Sequence, residues 1–71
     1  MAEEIRAEMV ASVMSVLVAV DDQIAAGDTL VILESMKMEI PVLAEHGGRV
    51  TDIGVAAGDA IQEGDLIAVV A

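Results

Sequence analysis

A chain of 71 residues, 56% of them hydrophobic and none aromatic, holds one small domain whose core must be built from Val, Ile, Leu, Ala and Met. With no cysteine it has no disulfide framework, no thiolate metal site and no cysteine nucleophile. The net charge of −10, thirteen acidic residues against Arg6, Lys37 and Arg49, argues against a nucleic-acid footprint, and no Gly-rich loop is present to cradle the phosphates of ATP or coenzyme A.

The N-terminal Met1-Ala2-Glu3-Glu4 is acidic where a signal peptide is basic, and the longest apolar stretch, Met9 to Val20, is twelve residues, too short to span a membrane as a helix. A cytoplasmic protein with no membrane partner is expected. Ile5 to Ala7 reads as a first strand, followed by a turn near Glu8–Val10. Val13 to Val20 reads as a long second strand. A short apolar run of this kind is also compatible with a helix, but five valines between Val10 and Val20 and no preceding helix cap favour a strand. Asp21-Asp22 ends it. Gln23-Ile24 is a short strand, and Ala26-Gly27-Asp28 is a turn in which Gly27 can take a positive φ.

Leu30 to Leu33 is a buried strand leading into Glu34-Ser35-Met36-Lys37-Met38-Glu39, and Met38 to Leu43 leaves it. Pro41 lacks an N–H and so belongs on a sheet edge or at a bulge. Glu45-His46-Gly47-Gly48 turns, Arg49 to Val55 alternates, and Ala57-Gly58-Asp59 turns again. Ile61 marks a short strand, Glu63-Gly64-Asp65 a turn, and Leu66 to Val70 the last strand.

The chain repeats itself. A shift of 37 positions lays residues 5–33 on residues 42–70. Ala7 matches Ala44, Glu8 matches Glu45, Val13 matches Val50, Val18-Ala19 match Val55-Ala56, Asp22 matches Asp59, Ile24 matches Ile61, and Gly27-Asp28 match Gly64-Asp65. Neither half of four short strands can bury an apolar face by itself. Packed face to face about a pseudo-twofold axis, the halves make an all-β sandwich, closed or nearly so, around one core. The connection, residues 34–41, then projects from one end as a hairpin with Lys37 at its tip.

Lys37 is the sole lysine of the chain. A deprotonated amine on a four-carbon stem is a mobile nucleophile suited to covalent attachment. Hairpin tips favour Asn, Asp and Gly, whereas this one carries Met36 and Met38, long thioethers suited to an adaptable contact surface. A plain solvated surface lysine is the alternative.

Glu-Ser-Met-Lys-Met-Glu at 34–39 resembles the attachment motif of the biotinyl domains, the biotin carboxyl carrier family, whose core is Met-Lys-Met. Lipoyl domains, their relatives, also carry a hairpin lysine but typically lack the methionine pair. The resemblance runs from about Ile5 to Val70 and implies a flattened barrel of two four-stranded antiparallel sheets with pseudo-twofold symmetry. It implies that a biotin protein ligase attaches biotin covalently to Lys37, and that Met36 and Met38 help the ligase and partner enzymes recognise the hairpin. Glu34, Ser35 and Glu39 flank it, with Ser35 where many members have Ala. A biotin carboxylase using ATP and bicarbonate would load the carrier, and a carboxyltransferase would unload it to an acceptor, commonly an acyl-CoA. The carrier itself would have no catalytic residues and would be a minimal, free-standing, monomeric domain over residues 1–71. Where many members have Pro, Pro and Gly this chain has Glu8, Val10 and Ala11, and Asp21 stands in place of Gly.

Other chemistries find little support. His46 is the sole histidine and lies among glycines in a turn. A triad from Ser12, Ser15 or Ser35 would depend on it, and Asp21-Asp22-Asp28 lacks the spacing of a calcium loop. No metal site is expected. Glu34 and Glu39 read as solvating or recognition groups before they read as an acid/base pair. A lipoyl carrier and an unmodified acidic interaction module are the alternatives to a biotin carrier.

Overall fold

The computed structural model describes residues 2–71. Eight strands follow one another: β1 (Glu3–Arg6), β2 (Ala11–Val16), β3 (Gln23–Ile24), β4 (Thr29–Ser35), β5 (Met38–Leu43), β6 (Gly48–Ile53), β7 (Ala60–Ile61) and β8 (Leu66–Val70). They form two four-stranded sheets, in the orders β1-β8-β6-β3 and β5-β4-β2-β7. Every neighbouring pair is antiparallel. Exchanging the halves (β1 with β5, β2 with β6, β3 with β7, β4 with β8) converts one sheet into the other, which is the pseudo-twofold relation expected from the repeat.

The halves do not form one sheet each, as packing them face to face would suggest. Each sheet takes two strands from either half, so the repeats are interleaved. Long-range pairing accounts for this: β1 hydrogen-bonds along β8, with Glu3 opposite Val70, and β2 takes β7 on its free side, with Ala11 opposite Ile61. The all-β architecture stands, and the two halves cannot separate without opening both sheets.

Bulges are repeated as faithfully as the strands. One extra residue, Leu30, sits in β4 opposite the Val42–Leu43 step, and its equivalent Ile67 sits in β8 opposite the Ile5–Arg6 step. A bulge lets consecutive residues face the same side, so Leu30 and Val31 are both buried, as are Ile67 and Ala68. Met14 and Thr51 occupy the corresponding bulges of β2 and β6. Val13, Leu30, Val31, Val50 and Ile67 are the largest fully buried side chains. Aliphatic side chains with stiff, branched geometry fill the space without an aromatic ring.

Four turns of one design join the short strands: Ala19–Asp22, Ala25–Asp28, Ala56–Asp59 and Gln62–Asp65. In each, the aspartate N–H donates to the carbonyl of the first residue at 3.0–3.1 Å. The aspartate Oδ2 in turn accepts the N–H of that first residue at 2.8–2.9 Å. The third residue of each turn takes a positive φ: 80° at Asp21, 91° at Gly27, 94° at Gly58 and 93° at Gly64. Asp21 thus adopts the backbone of its glycine counterpart Gly58, a conformation that a short polar side chain tolerates better than most. Its Oδ1 accepts a hydrogen bond from Arg49 at 2.6 Å, an exposed pair of small energetic value.

This first turn also shortens β2. A strand running to Val20 was expected, but β2 ends at Val16. The Leu17 N–H still donates to the Leu30 carbonyl at 2.9 Å, after which the chain turns and binds β6 through Asp21 N–H to Val50 O and Val50 N–H to Asp22 O. Val18 packs against the core, while Leu17 and Val20 are exposed. Pro41 lies on β5, which is an edge strand, so its missing N–H interrupts no ladder on the outer side. The molecule measures 32 × 18 × 17 Å, and no helix among the described residues is long and apolar enough to cross a membrane.

Equivalence of the halves has an energetic consequence. Val13 and Val50 are 2% and 0% exposed at matching positions. Val13→Ala and Val50→Ala should each lower unfolding free energy by about 1–3 kcal/mol through lost burial and a small void, read from chemical denaturation. A marked loss from one and none from the other would show that the halves contribute unequally to the core.

Candidate functional site

The hairpin between β4 and β5 rises directly from the core. Leu33 is buried and opposite Ile40, which also packs against the core. One step outward Glu34 faces Glu39, and the last pair is Ser35 with Met38. Only Met36 and Lys37 remain to make the turn, at φ 53° and 65°. A two-residue loop with positive φ at both central positions meets the requirement of a type I′ turn, whose twist matches the flanking strands. The turn type fits the expected hairpin. Its residues do not: Asn-Gly is the usual occupant, and a side chain with Cβ costs roughly 1–2 kcal/mol in the left-handed region.

That conformation throws the tip outward. Met36 is 91% exposed and Met38 62%, and Lys37 is exposed between them. Large apolar side chains left in water at a rigid tip are available for burial against something else. Both arginines are engaged, Arg6 with Glu4 and Arg49 with Asp21, whereas no carboxylate lies within 4 Å of the Lys37 ammonium among the described residues. Glu34 and Glu39 are exposed and directly opposite each other across the hairpin, an arrangement that like charges disfavour. Ser35 is half-buried at the hairpin base, and Ser12 pairs with Glu34 from the β2 side.

The structure thus gathers Glu34, Ser35, Met36, Lys37, Met38 and Glu39 on one two-stranded projection. The family model described as biotin-requiring enzyme, for biotin and lipoyl attachment domains, matches residues 3–70. The chain belongs to the biotin/lipoyl attachment-domain family. A biotinylated protein TB7.3 homolog of Mycolicibacterium smegmatis is 67% identical over 70 residues, covering 99% of both chains. A biotin-dependent acyl-coenzyme A carboxylase alpha3 subunit of Mycobacterium leprae is 41% identical over 66 residues, 93% of this chain and 11% of the subunit. Among solved structures, the urea carboxylase of Kluyveromyces lactis superposes with a TM-score of 0.91 at 37% identity, over 99% of this chain and 6% of that one. The chain is therefore similar to one small protein over its whole length and to a small part of two much larger ones.

Away from the hairpin of this attachment domain, His46 lies in the bend after β5, as its glycine neighbours suggested. Sequence spacing did not reveal that Glu3, from β1, comes close to Glu45 and His46. One potential ligand atom from each lies within 4.8 Å of the others, and the Glu3 Oε1 is buried without a hydrogen-bond partner. Only the adjacency of Glu45 and His46 could have signalled it. This group lies beyond the end of β5 opposite to Lys37.

The left-handed turn carries a measurable cost. Replacing Met36-Lys37 by Asn-Gly should raise unfolding free energy by about 1 kcal/mol, because the new pair suits a type I′ turn. Denaturation midpoints check this, and an unchanged or lower midpoint would show that the wild-type turn is unstrained.

Proposed function

We propose that the chain is a biotin carrier in which Lys37 is the residue that bears the covalent biotin. The observation that carries the reading is the isolated Lys37 ammonium, exposed at the tip of a hairpin whose base is fixed in the core. An amine there is within reach of another protein's active site, and its position is held by buried Leu33 only four residues away. The residues fit an amide-linked group: nothing among the described residues pairs with the ammonium, so its neutralisation strands no carboxylate partner. The full-length similarity to a biotinylated protein supports biotin over lipoate.

In this reading a biotin protein ligase provides the catalysis. Deprotonated Lys37 Nζ donates its lone pair to the activated carboxyl of biotin, an amide bond forms, the activating group leaves, and the amine gives up its second proton. Biotin, when bound, supplies a ureido nitrogen that can carry a carboxyl group. Forming the amide removes the ammonium charge, so the arm enters an apolar pocket without the desolvation cost of a cation. Met36 and Met38 offer the apolar contact that a ligase or carboxylase would cover, and Glu34 and Glu39 give the hairpin face its negative charge. The eight-stranded body acts as a rigid handle and makes each transfer effectively intramolecular once docked. The partners would be a biotin carboxylase and a carboxyltransferase with an acyl-CoA as acceptor, in line with the similarity to the carboxylase alpha3 subunit.

Intact-mass measurement of protein produced with an active biotin ligase should show one biotinyl group, mapped to Lys37 by peptide mass. Lys37→Arg should fold and stay unmodified, since a guanidinium keeps the charge but is a poor nucleophile. Streptavidin reactivity in that variant would overturn the assignment, and a lipoyl mass, or none, would favour the lipoyl carrier or the unmodified module.

The acidic surface gives a separate expectation. A chain of net charge −10 is steered toward the positive surface of enzymes that handle ATP and acyl-CoA. Raising salt shortens the Debye length from ~10 Å at 0.1 M to ~3 Å at 1 M, so the apparent KM for carrier should rise while turnover at saturation changes less. Free biotin assayed with the same carboxylase controls for salt effects on the enzyme, and identical salt dependence would reduce the acidity to a solubility feature.

A further inference from the structure

The chain has no cysteine, so its thioethers are its only oxidisable sulfur. Four of the five methionines lie among the described residues, and they differ sharply in exposure: Met36 91%, Met38 62%, Met14 43% and Met9 36%. The two most exposed flank Lys37. We propose that Met36, followed by Met38, is a reversible oxidation site, and that conversion of these thioethers to sulfoxides switches off recognition of the Lys37 hairpin. The switch rests on the carrier reading above.

Exposure controls access of the oxidant, and Met36, 91% exposed, is the most open of the four. With hydrogen peroxide as oxidant, the sulfur lone pair attacks one peroxide oxygen and the O–O bond breaks. That oxygen stays on sulfur as the sulfoxide, and the other leaves as water after taking up the remaining proton. The sulfur loses two electrons and the peroxide gains them. A thiol-dependent methionine sulfoxide reductase reverses the step, giving thioether and water while two thiols become a disulfide.

The chemical change falls where it matters. A thioether is soft, apolar and adaptable, whereas a sulfoxide carries a strong hydrogen-bond acceptor that must be desolvated when a partner covers the tip. Unless the partner supplies a matching donor, the acceptor is buried unsatisfied. The same change leaves the fold intact, because neither side chain contributes to the core.

The test oxidises the purified, unbiotinylated chain with limiting hydrogen peroxide and follows oxygen uptake by peptide mass, then measures biotin ligase kcat/KM and thermal melting. Among Met9, Met14, Met36 and Met38, Met36 should oxidise first and Met38 second, melting should stay unchanged, and ligase efficiency should fall about tenfold. Methionine sulfoxide reductases of both epimer specificities should restore it. Met9→Leu/Met14→Leu should lose efficiency on oxidation just as the unsubstituted chain does, which excludes Met9 and Met14 as the source of the effect. Prior oxidation of Met14 or Met9, an oxidised chain biotinylated at the full rate, or a loss that the reductases do not reverse would overturn the proposal. If the unoxidised chain accepts no biotin, the carrier reading fails and the switch with it. If it accepts biotin equally well before and after oxidation, the carrier reading stands and the switch alone falls.

Discussion

Everything in this domain depends on the interleaving of two homologous halves across two sheets. A unit of four short strands has too little apolar surface to fold by itself, and a two-stranded pairing is marginal in water. By lending two strands to each sheet, the halves share a single core in which Leu30 and Ile67, Val13 and Val50, and Ala7 and Ala44 are symmetric counterparts. The paired bulges at Leu30 and Ile67 turn one additional side chain per half inward, which raises the apolar content of a core that contains no aromatic ring.

The Lys37 hairpin is where that symmetry is broken. At the equivalent position of the second half, Ala71 is tied to Arg49 by two backbone hydrogen bonds. A rigid scaffold with one asymmetric projection is well suited to presenting one side chain, because the position of the tip is set by buried residues immediately beneath it. Several features at the tip oppose stability: two Cβ-bearing residues in the left-handed region, a facing Glu34–Glu39 pair, and two large thioethers in water. Such local conflict, confined to one end of an otherwise self-consistent fold, agrees with the recognition role proposed for the hairpin. On the proposed reading, the exposure that fits Met36 and Met38 for contact is the same exposure that opens them to oxidation.

Much of this was legible in the chain. The repeat announced two equivalent halves, Gly27 announced a turn of positive φ, and Pro41 announced an edge or a bulge, of which the structure has the edge. The solitary lysine between two β-rich segments announced the hairpin tip. What escaped was set by distant partners. Val18 and Val20 continue the β-branched pattern of β2, yet the backbone turns at Ala19–Asp22 and pairs with Val50, which no local periodicity records. Asp21 read as a departure from a glycine position, and it takes the glycine conformation nonetheless, held by backbone bonds to β6. Glu3 met Glu45 and His46 only because β1 runs beside β8 and the β5–β6 bend closes over it.

The sequence by itself determined the all-β class, the twofold relation of the halves and the isolation of Lys37 at a tight connection, because alternation, turn residues and internal similarity are local properties of the chain. Which strand lies beside which, and hence the exchange of strands between sheets, was decided only by the tertiary structure. Antiparallel partners far apart in sequence are chosen by burial of a shared core, and a repeated sequence fits equally well whether each half keeps its own sheet or gives strands to the other. The left-handed turn at Met36-Lys37 belongs to the same class. Neither residue favours it, and it exists because the register of β4 and β5, fixed by Leu33 and Ile40 in the core, leaves two residues to reverse the chain.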